Sequence, residues 1–160
     1  MTYTAPANMR VGHIHLKVTD LDRSVAWYTD TLGLEVMNRL GNDAAFLSWN
    51  GYHHHVGLNT WESRGGSPAS RRSPGLYHVA FLYPDRQALA RGVARVVDKG
   101  VPLIGAADHG VSEAIYLEDP DGNGIELYAD RDPADWPRNK DGDLALPTRR
   151  LDLDALLEHA

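Results

Sequence analysis

Residues 109–126 read HGVSEAIYLEDPDGNGIE, and this stretch contains two strand-like patterns joined by a tight turn. The turn is Asp-Pro-Asp-Gly at 119–122, where glycine supplies the backbone angles that most residues avoid. The stretch therefore predicts two neighbouring strands. They carry a histidine, a tyrosine and a carboxylate, at His109, Tyr116 and Glu126.

The rest of the chain repeats one order of elements twice. The first half predicts a strand at 11–18, a helix at 22–32, and strands at 35–39, 44–49 and 53–59. The second half predicts a strand at 76–83, a helix at 85–99, and strands at 102–105, 114–117 and 124–129. Since one such unit cannot bury its own sheet face, the duplication predicts an α+β fold in which two βαβββ modules pack around one core.

The length fits one domain over residues 1–160. Module 1 covers about 10–61, a linker rich in Ser, Gly, Arg and Pro covers 62–75, and module 2 covers about 76–129. The tail at 130–160 is acidic and contains a predicted short helix at 151–157. The apolar positions of that helix suit docking onto the body or onto another subunit.

Composition excludes several classes of protein. The chain has no cysteine, so disulfides and thiolate ligands are excluded. The net charge of -6 argues against nucleic acid as a partner, and the basic cluster at Arg71 and Arg72 is too small to form a concentrated basic face. The chain has neither an apolar signal core nor a run long enough to span a bilayer, so we expect no membrane partner and a cytoplasmic location.

Two histidines occupy matching positions in the halves. His13 lies in Gly-His-Ile and His78 lies in Tyr-His-Val, 65 residues later. An Asn-Gly pair before His55 also matches an Asp-Gly pair before Glu126. If the halves pair about a pseudo-twofold axis, these four side chains would converge on one point. Two imidazoles and one carboxylate are the ligand set of mononuclear non-haem iron oxygenases and of some zinc enzymes.

Over about residues 10–130 the chain resembles the vicinal-oxygen-chelate superfamily, the glyoxalase / bleomycin-resistance / extradiol-dioxygenase group. The matching segments are Gly-His-Ile-His-Leu-Lys-Val at 12–18, Trp-Tyr at 27–28 with Leu-Gly-Leu at 32–34, and Asp-Pro-Asp-Gly-Asn-Gly-Ile-Glu at 119–126. The resemblance implies paired βαβββ modules that form a half-open barrel around a divalent metal. It also implies His13, His78 and Glu126 as the metal ligands.

Within that superfamily the chain resembles catechol 2,3-dioxygenase-like members most. The extradiol pattern is met by His109, Ile115, Tyr116, Asp119, Pro120, Gly122 and Glu126. Ala107 departs from it, because the pattern usually has Gly, Asn, Thr or a β-branched residue there. The resemblance implies extradiol (meta) cleavage of a catechol-type aromatic by O2. It implies iron(II) as the first choice of metal and manganese(II) as the second.

Three further residues are assigned roles in that chemistry. His55 and His109 are the expected acid/base groups, because histidine titrates near neutrality. Tyr116 is expected to donate a hydrogen bond to a bound catecholate oxygen. We favour His55 as the histidine that lies near the metal without binding it, by its face and its alignment with Glu126, and His54 is the alternative.

Other functions remain as alternatives. A glyoxalase-type lyase or isomerase usually has a carboxylate where this chain has His55. A metal-free binding protein of the bleomycin-resistance type would not need the two histidines and the glutamate. Transfer of a nucleophile to fosfomycin needs a pocket rich in Lys and Arg, where the nearby strands offer only Lys17 and Arg39. The superfamily commonly dimerises, so a homodimer is possible.

Overall fold

The structure is a computed structural model that describes residues 2–160. Module 1 consists of β1 (Ile14–Lys17), α1 (Leu21–Leu32), β2 (Glu35–Leu40), β3 (Ala44–Ser48) and β4 (Val56–Asn59). Module 2 consists of β5 (Val79–Tyr83), α2 (Arg86–Asp98), β6 (Gly105–Asp108), β7 (Ser112–Glu118) and β8 (Gly124–Asp130). The tail adds β9 (Arg149–Arg150) and α3 (Leu153–Leu157). The predicted α+β class and the doubled βαβββ order are confirmed.

Each module forms its own sheet with the same connectivity. The strand orders are β1-β4-β3-β2 and β5-β8-β7-β6-β9. In each module the first strand runs parallel to the last, with Ile14 opposite Val56 and Val79 opposite Ile125. The two sheets are not closed, in agreement with the expected half-open barrel.

Helix α1 packs against β2, β3 and β4, and helix α2 packs against β5 and β8. Asp20 and Asp85 cap the helices by accepting from backbone N–H groups, and α1 ends at Gly33, whose φ is 74°. One buried apolar cluster joins both modules and includes Leu16, Val25, Leu58, Leu89, Ile115 and Leu127. No helix within residues 2–160 is long and apolar enough to cross a membrane.

Some strand limits differ from the prediction. The strand predicted at 102–105 is wrong: β6 occupies Gly105–Asp108, where Gly105 pairs with Tyr116 of β7. Pro102 has no N–H to donate to a ladder, so the apolar run around it stays outside the sheet. Strand β4 begins only at Val56, so His53, His54 and His55 precede it.

The Asp-Pro-Asp-Gly turn does more than reverse the chain, because its two buried carboxylates hold module 1. Asp121 accepts from the backbone N–H of Thr19 at 2.9 Å and from its hydroxyl at 2.6 Å, and it pairs with Arg23. The hydroxyl of Tyr28 donates to Asp119 at 3.1 Å. The turn that precedes Glu126 is therefore a clamp between the two modules.

This clamp predicts a stability effect. Replacing Asp121 by alanine removes three hydrogen bonds and leaves donors of Thr19 unpaired at the junction, at an expected cost of about 2–4 kcal/mol. Urea denaturation followed by circular dichroism measures it. The control is Asp22→Ala, since the Asp22 carboxylate is 81% exposed where it pairs with Arg39. If both variants lost equal stability, the turn would not be a clamp.

Candidate active site

His78 and Glu126 form the centre of the candidate site. His78 lies one residue before β5, and Glu126 lies on β8 opposite Ala80 of β5. Their side chains meet with Nε2 of His78 2.9 Å from Oε2 of Glu126. The Glu126 side chain is only 12% exposed, and the His78 side chain is 32% exposed. The parallel pairing of β5 and β8 thus places one imidazole and one carboxylate together at an accessible position.

A hydrogen-bonded chain extends from this pair toward β6. Tyr116 lies on β7 directly opposite Glu126, and its hydroxyl is 3.3 Å from Oε1 of Glu126. Nε2 of His109, in the turn after β6, lies 2.8 Å from the same hydroxyl. The structure therefore connects His109, Tyr116, Glu126 and His78 in that order.

Burial and the neighbouring Glu126 carboxylate keep Tyr116 protonated. Burial raises the pKa of Tyr116 to about 12, and the charge of Glu126 together with its hydrogen bond adds to the effect. The phenol therefore remains a hydrogen-bond donor across the physiological range. A donor fixed next to a carboxylate is suited to orienting a bound oxygen atom.

His13 is placed in a different cluster. Its ring centroid lies 4.3 Å from that of His54, and Nδ1 of His54 lies 2.7 Å from Nδ1 of His53. Within residues 2–160, no three His, Asp or Glu side chains come close enough together to hold one metal ion. The structure thus brings His78 and Glu126 together and leaves His13 outside that pair.

A cavity of about 350 Å³ lies between His13 and the first residues of β5. His13 and Ile14 line one side, and the first residues of β5, Val79 to Phe81, line the other. Trp49, Tyr52 and His55 contribute aromatic walls. A volume of this size is within the usual range for small-molecule sites. His13 therefore faces the space beside β5, directly after His78 in the chain.

His55 is held firmly in that wall. Its ring stacks on Trp49 with centroids 3.5 Å apart and planes 13° from parallel. Nδ1 of His55 lies 3.0 Å from the hydroxyl of Ser48. Burial lowers the pKa of His55 below its ordinary value of 6.5, and the charges of His53 and Arg10 lower it further. The ring is therefore neutral near pH 7 and able to accept a proton.

The alignment that matched His55 with Glu126 is wrong by two residues. Val56 pairs with Ile14 as Ile125 pairs with Val79, so the counterpart of Glu126 in module 1 is Gly57. The ring of His15 fills the space beside Gly57, where an added Cβ would lie 2.9 Å from it. The loop before β4 is longer than its counterpart, which explains the displacement.

The residues that the structure does bring together fit a divalent metal. Two ligand atoms about 2.1 Å from an ion and at right angles to each other are about 3.0 Å apart, close to the observed spacing of His78 and Glu126. Nδ1 of His78 is buried without a partner among the described residues, so Nε2 is the nitrogen available to a ligand.

Comparison with known families agrees with this fold and site. Residues 10–127 match the Glyoxalase/Bleomycin resistance protein/Dioxygenase superfamily. Because the match covers most of the chain, the protein belongs to that superfamily, which confirms the resemblance read from the sequence.

Individual relatives refine this picture. Catechol-2,3-dioxygenase of Bacillus subtilis (strain 168) is 39% identical over 150 residues, which cover 94% of this chain and 52% of that protein. Biphenyl-2,3-diol 1,2-dioxygenase 3 of Rhodococcus globerulus is 34% identical over 122 residues, 76% of this chain and 63% of that protein. The chain thus spans between about half and two thirds of the length of these relatives.

A solved structure shows the same fold. The glyoxylase/bleomycin resistance protein/dioxygenase domain from Frankia sp. EAN1pec superposes with a TM-score of 0.68. The superposition covers 79% of this chain and 96% of that chain at 23% sequence identity. At that identity the likeness concerns the fold alone.

Proposed function

We propose that the protein is an extradiol ring-cleaving dioxygenase that acts on a catechol-type aromatic with O2 and one divalent metal. The observation that carries the proposal is the series of side-chain contacts that runs from His109 through Tyr116 to Glu126 and His78. A cavity with aromatic walls lies beside the start of β5, directly after His78. These contacts combine two metal-binding groups, His78 and Glu126, with a hydrogen-bond donor, Tyr116, and an acid/base group, His109. The dioxygenase relatives support this chemistry over the lyase and binding-protein alternatives.

The proposed metal ligands are His13, His78 and Glu126. His78 and Glu126 are already adjacent, and His13 lines the cavity beside the start of β5. Two neutral imidazoles and a carboxylate suit iron(II) first and manganese(II) second. Bound there, the ion would supply Lewis-acid charge that stabilises a deprotonated catechol.

The protein's own side chains would bind the ring and move the protons. Trp49 and Tyr52 offer aromatic surfaces for a planar ring. His55, with its lowered pKa, would accept a proton from the catechol, and Tyr116 would donate a hydrogen bond to the resulting oxygen. In a later step His109 would supply a proton through the hydroxyl of Tyr116 that it already contacts, and exchange with solvent would then remove the proton held by His55 and restore the one lost by His109.

The test is direct. The purified protein is loaded with Fe(II) under anaerobic conditions, mixed with catechol and exposed to air, and a parallel sample is loaded with Mn(II). We expect a yellow ring-opened semialdehyde and the uptake of one O2 per catechol. Metal-free protein is the control and is expected to consume no O2.

The opposite results are equally informative. Bound iron without O2 uptake across a panel of catechols would overturn the dioxygenase proposal in favour of a lyase or isomerase. Failure to bind any divalent metal would favour a binding protein. The metal content of each sample, measured before the assay, separates these outcomes.

The lowered pKa of His55 predicts the pH dependence of kcat/KM. A lowered pKa means that the ring loses its proton at lower pH, so the basic form persists below pH 6.5 and activity falls only as the pH drops further. His55→Gln is expected to remove this acidic limb, and His54→Gln is the matched comparison. If the fall of kcat/KM at low pH were lost only in His54→Gln, the base would be His54, whose ring lies beside His13.

A further inference from the structure

The wall of the cavity beside β5 combines apolar surface with one positive charge. Apolar and aromatic side chains form much of this wall, among them Ile14, Trp49 and Val79. Arg10 is the one residue with a permanent charge among the described residues that line the cavity, and none of these residues carries a carboxylate. The cavity therefore offers a surface for a planar ring together with a fixed cation.

Arg10 has no anionic partner in the part of the chain that the structure describes. It lies in the segment before β1, and no carboxylate among residues 2–160 forms an ion pair with its side chain. The next arginines along the chain, Arg23, Arg39 and Arg64, each pair with an aspartate. The guanidinium of Arg10 is therefore available to an anion that enters the cavity.

A second observation places the charge of Arg10 beside the proposed base. Burial is the main cause of the lowered pKa of His55, and the positive charges of His53 and Arg10 lower that pKa further. His55 also lines the cavity. The lining of the cavity and the effect on His55 thus agree that the charge of Arg10 acts on the space where a substrate would bind.

Arg10 is also near the proposed metal ligand His13. Three residues of extended chain span at most about 11 Å, so the Cα atoms of these two residues are no further apart than that. The long side chain of arginine adds to this reach. A ring whose hydroxyls are directed toward His13 can therefore bring a substituent to the guanidinium of Arg10.

We propose that Arg10 is a specificity-determining residue that binds the carboxylate of an acidic catechol, so that the preferred substrate carries a carboxylate on its ring or side chain. A guanidinium and a carboxylate form two parallel hydrogen bonds as well as an ion pair. One guanidinium balances one carboxylate, whereas a phosphate would leave part of its charge of nearly two unbalanced. The identity of the substrate rests on the proposed function, but the preference for a carboxylate can be measured without turnover.

The test compares each acidic catechol with its neutral amide, which has nearly the same shape. The probes are 3,4-dihydroxybenzoate and 3,4-dihydroxyphenylacetate, which place the carboxylate at two distances from the ring. Anaerobic calorimetry on the full-length protein incubated with Fe(II) gives the dissociation constants, and O2 uptake in air gives kcat/KM. Arg10→Gln removes the charge, and Arg10→Lys keeps it without the planar fork. Arg91→Gln, at an exposed position on α2, is the matched control.

The ratio between acid and amide isolates the contribution of the carboxylate. Loss of Arg10 also removes a charge that lowers the pKa of His55, but this change acts on both members of a pair. We expect the unmodified protein and Arg91→Gln to bind at least one acid about fivefold more tightly than its amide, the upper range for an ion pair that water can reach. The preference is expected to vanish in Arg10→Gln and to be intermediate in Arg10→Lys.

Three results would overturn the proposal. They are equal binding of acid and amide by the unmodified protein, a preference that survives in Arg10→Gln, and no binding of either acid. If the acids are bound with the expected preference but no O2 is consumed, the dioxygenase proposal fails and the assignment of Arg10 stands. The two failures are therefore distinguishable.

Discussion

A Glu126→Gln protein is expected to fold normally, to retain no divalent metal after dialysis and to cleave no catechol. Glutamine has nearly the same shape, so the pairing of β8 with β5 and β7 is kept. It lacks the negative charge that balances a divalent ion beside His78. His78→Ala is expected to have the same effect on metal and activity. Elemental analysis, thermal denaturation and O2 uptake measure the three properties.

Glu118→Gln is the matched control for this experiment. Glu118 lies on β7 and pairs with Arg71, whose side chain is 81% exposed, so its charge has no part in the candidate site. We expect metal content and O2 uptake to be unchanged in this variant. Stoichiometric metal in Glu126→Gln would show that Glu126 is not a ligand.

Replacing His109 by alanine is expected to slow turnover by about 10²–10⁴-fold while the metal is retained. His109 contacts the hydroxyl of Tyr116 and touches neither His78 nor Glu126 directly, so its loss removes a proton carrier and leaves the proposed ligands in place. Steady-state kinetics with parallel metal analysis measure both effects. His159→Ala, at an exposed position near the end of the chain, is the control and is expected to be silent.

The contact between His109 and Tyr116 also predicts how the effects of the two substitutions on turnover combine. Groups in direct contact that act together show non-additive effects, so the double variant with Tyr116→Phe is expected to lose less than the product of the two single losses. Unchanged turnover in His109→Ala would remove the residue from the reaction. Strictly multiplicative losses would mean that the two residues act independently.

Local patterns predicted most of the fold and half of the candidate site. The repeat of strand, helix and three strands follows from apolar periodicity and from glycines such as Gly33, which depend on residues close in the chain. The contacts that join His109, Tyr116 and Glu126 were equally predictable, because two paired strands and one turn bring these three residues together. Each of these features is encoded within a short stretch of sequence.

Features that depend on distant residues could not be predicted. Asp119 and Asp121 looked like turn residues, since their partners in module 1 lie about a hundred positions earlier. The displacement of His55 from the Glu126 position depends on loop length, which turn-based alignment does not measure. The two arginines of β9 have no apolar alternation, so only their pairing with β6 reveals a strand.

That two-residue strand also has a consequence for how molecules of this protein meet one another. Without β9, β6 would present unpaired N–H and C=O groups to solvent, which is a template for another chain to add a strand. A short border of two exposed arginines covers part of β6 and places positive charge where a second sheet would have to approach. A version of the chain trimmed after residue 131, which keeps all of β8 and lacks β9, is therefore expected to aggregate.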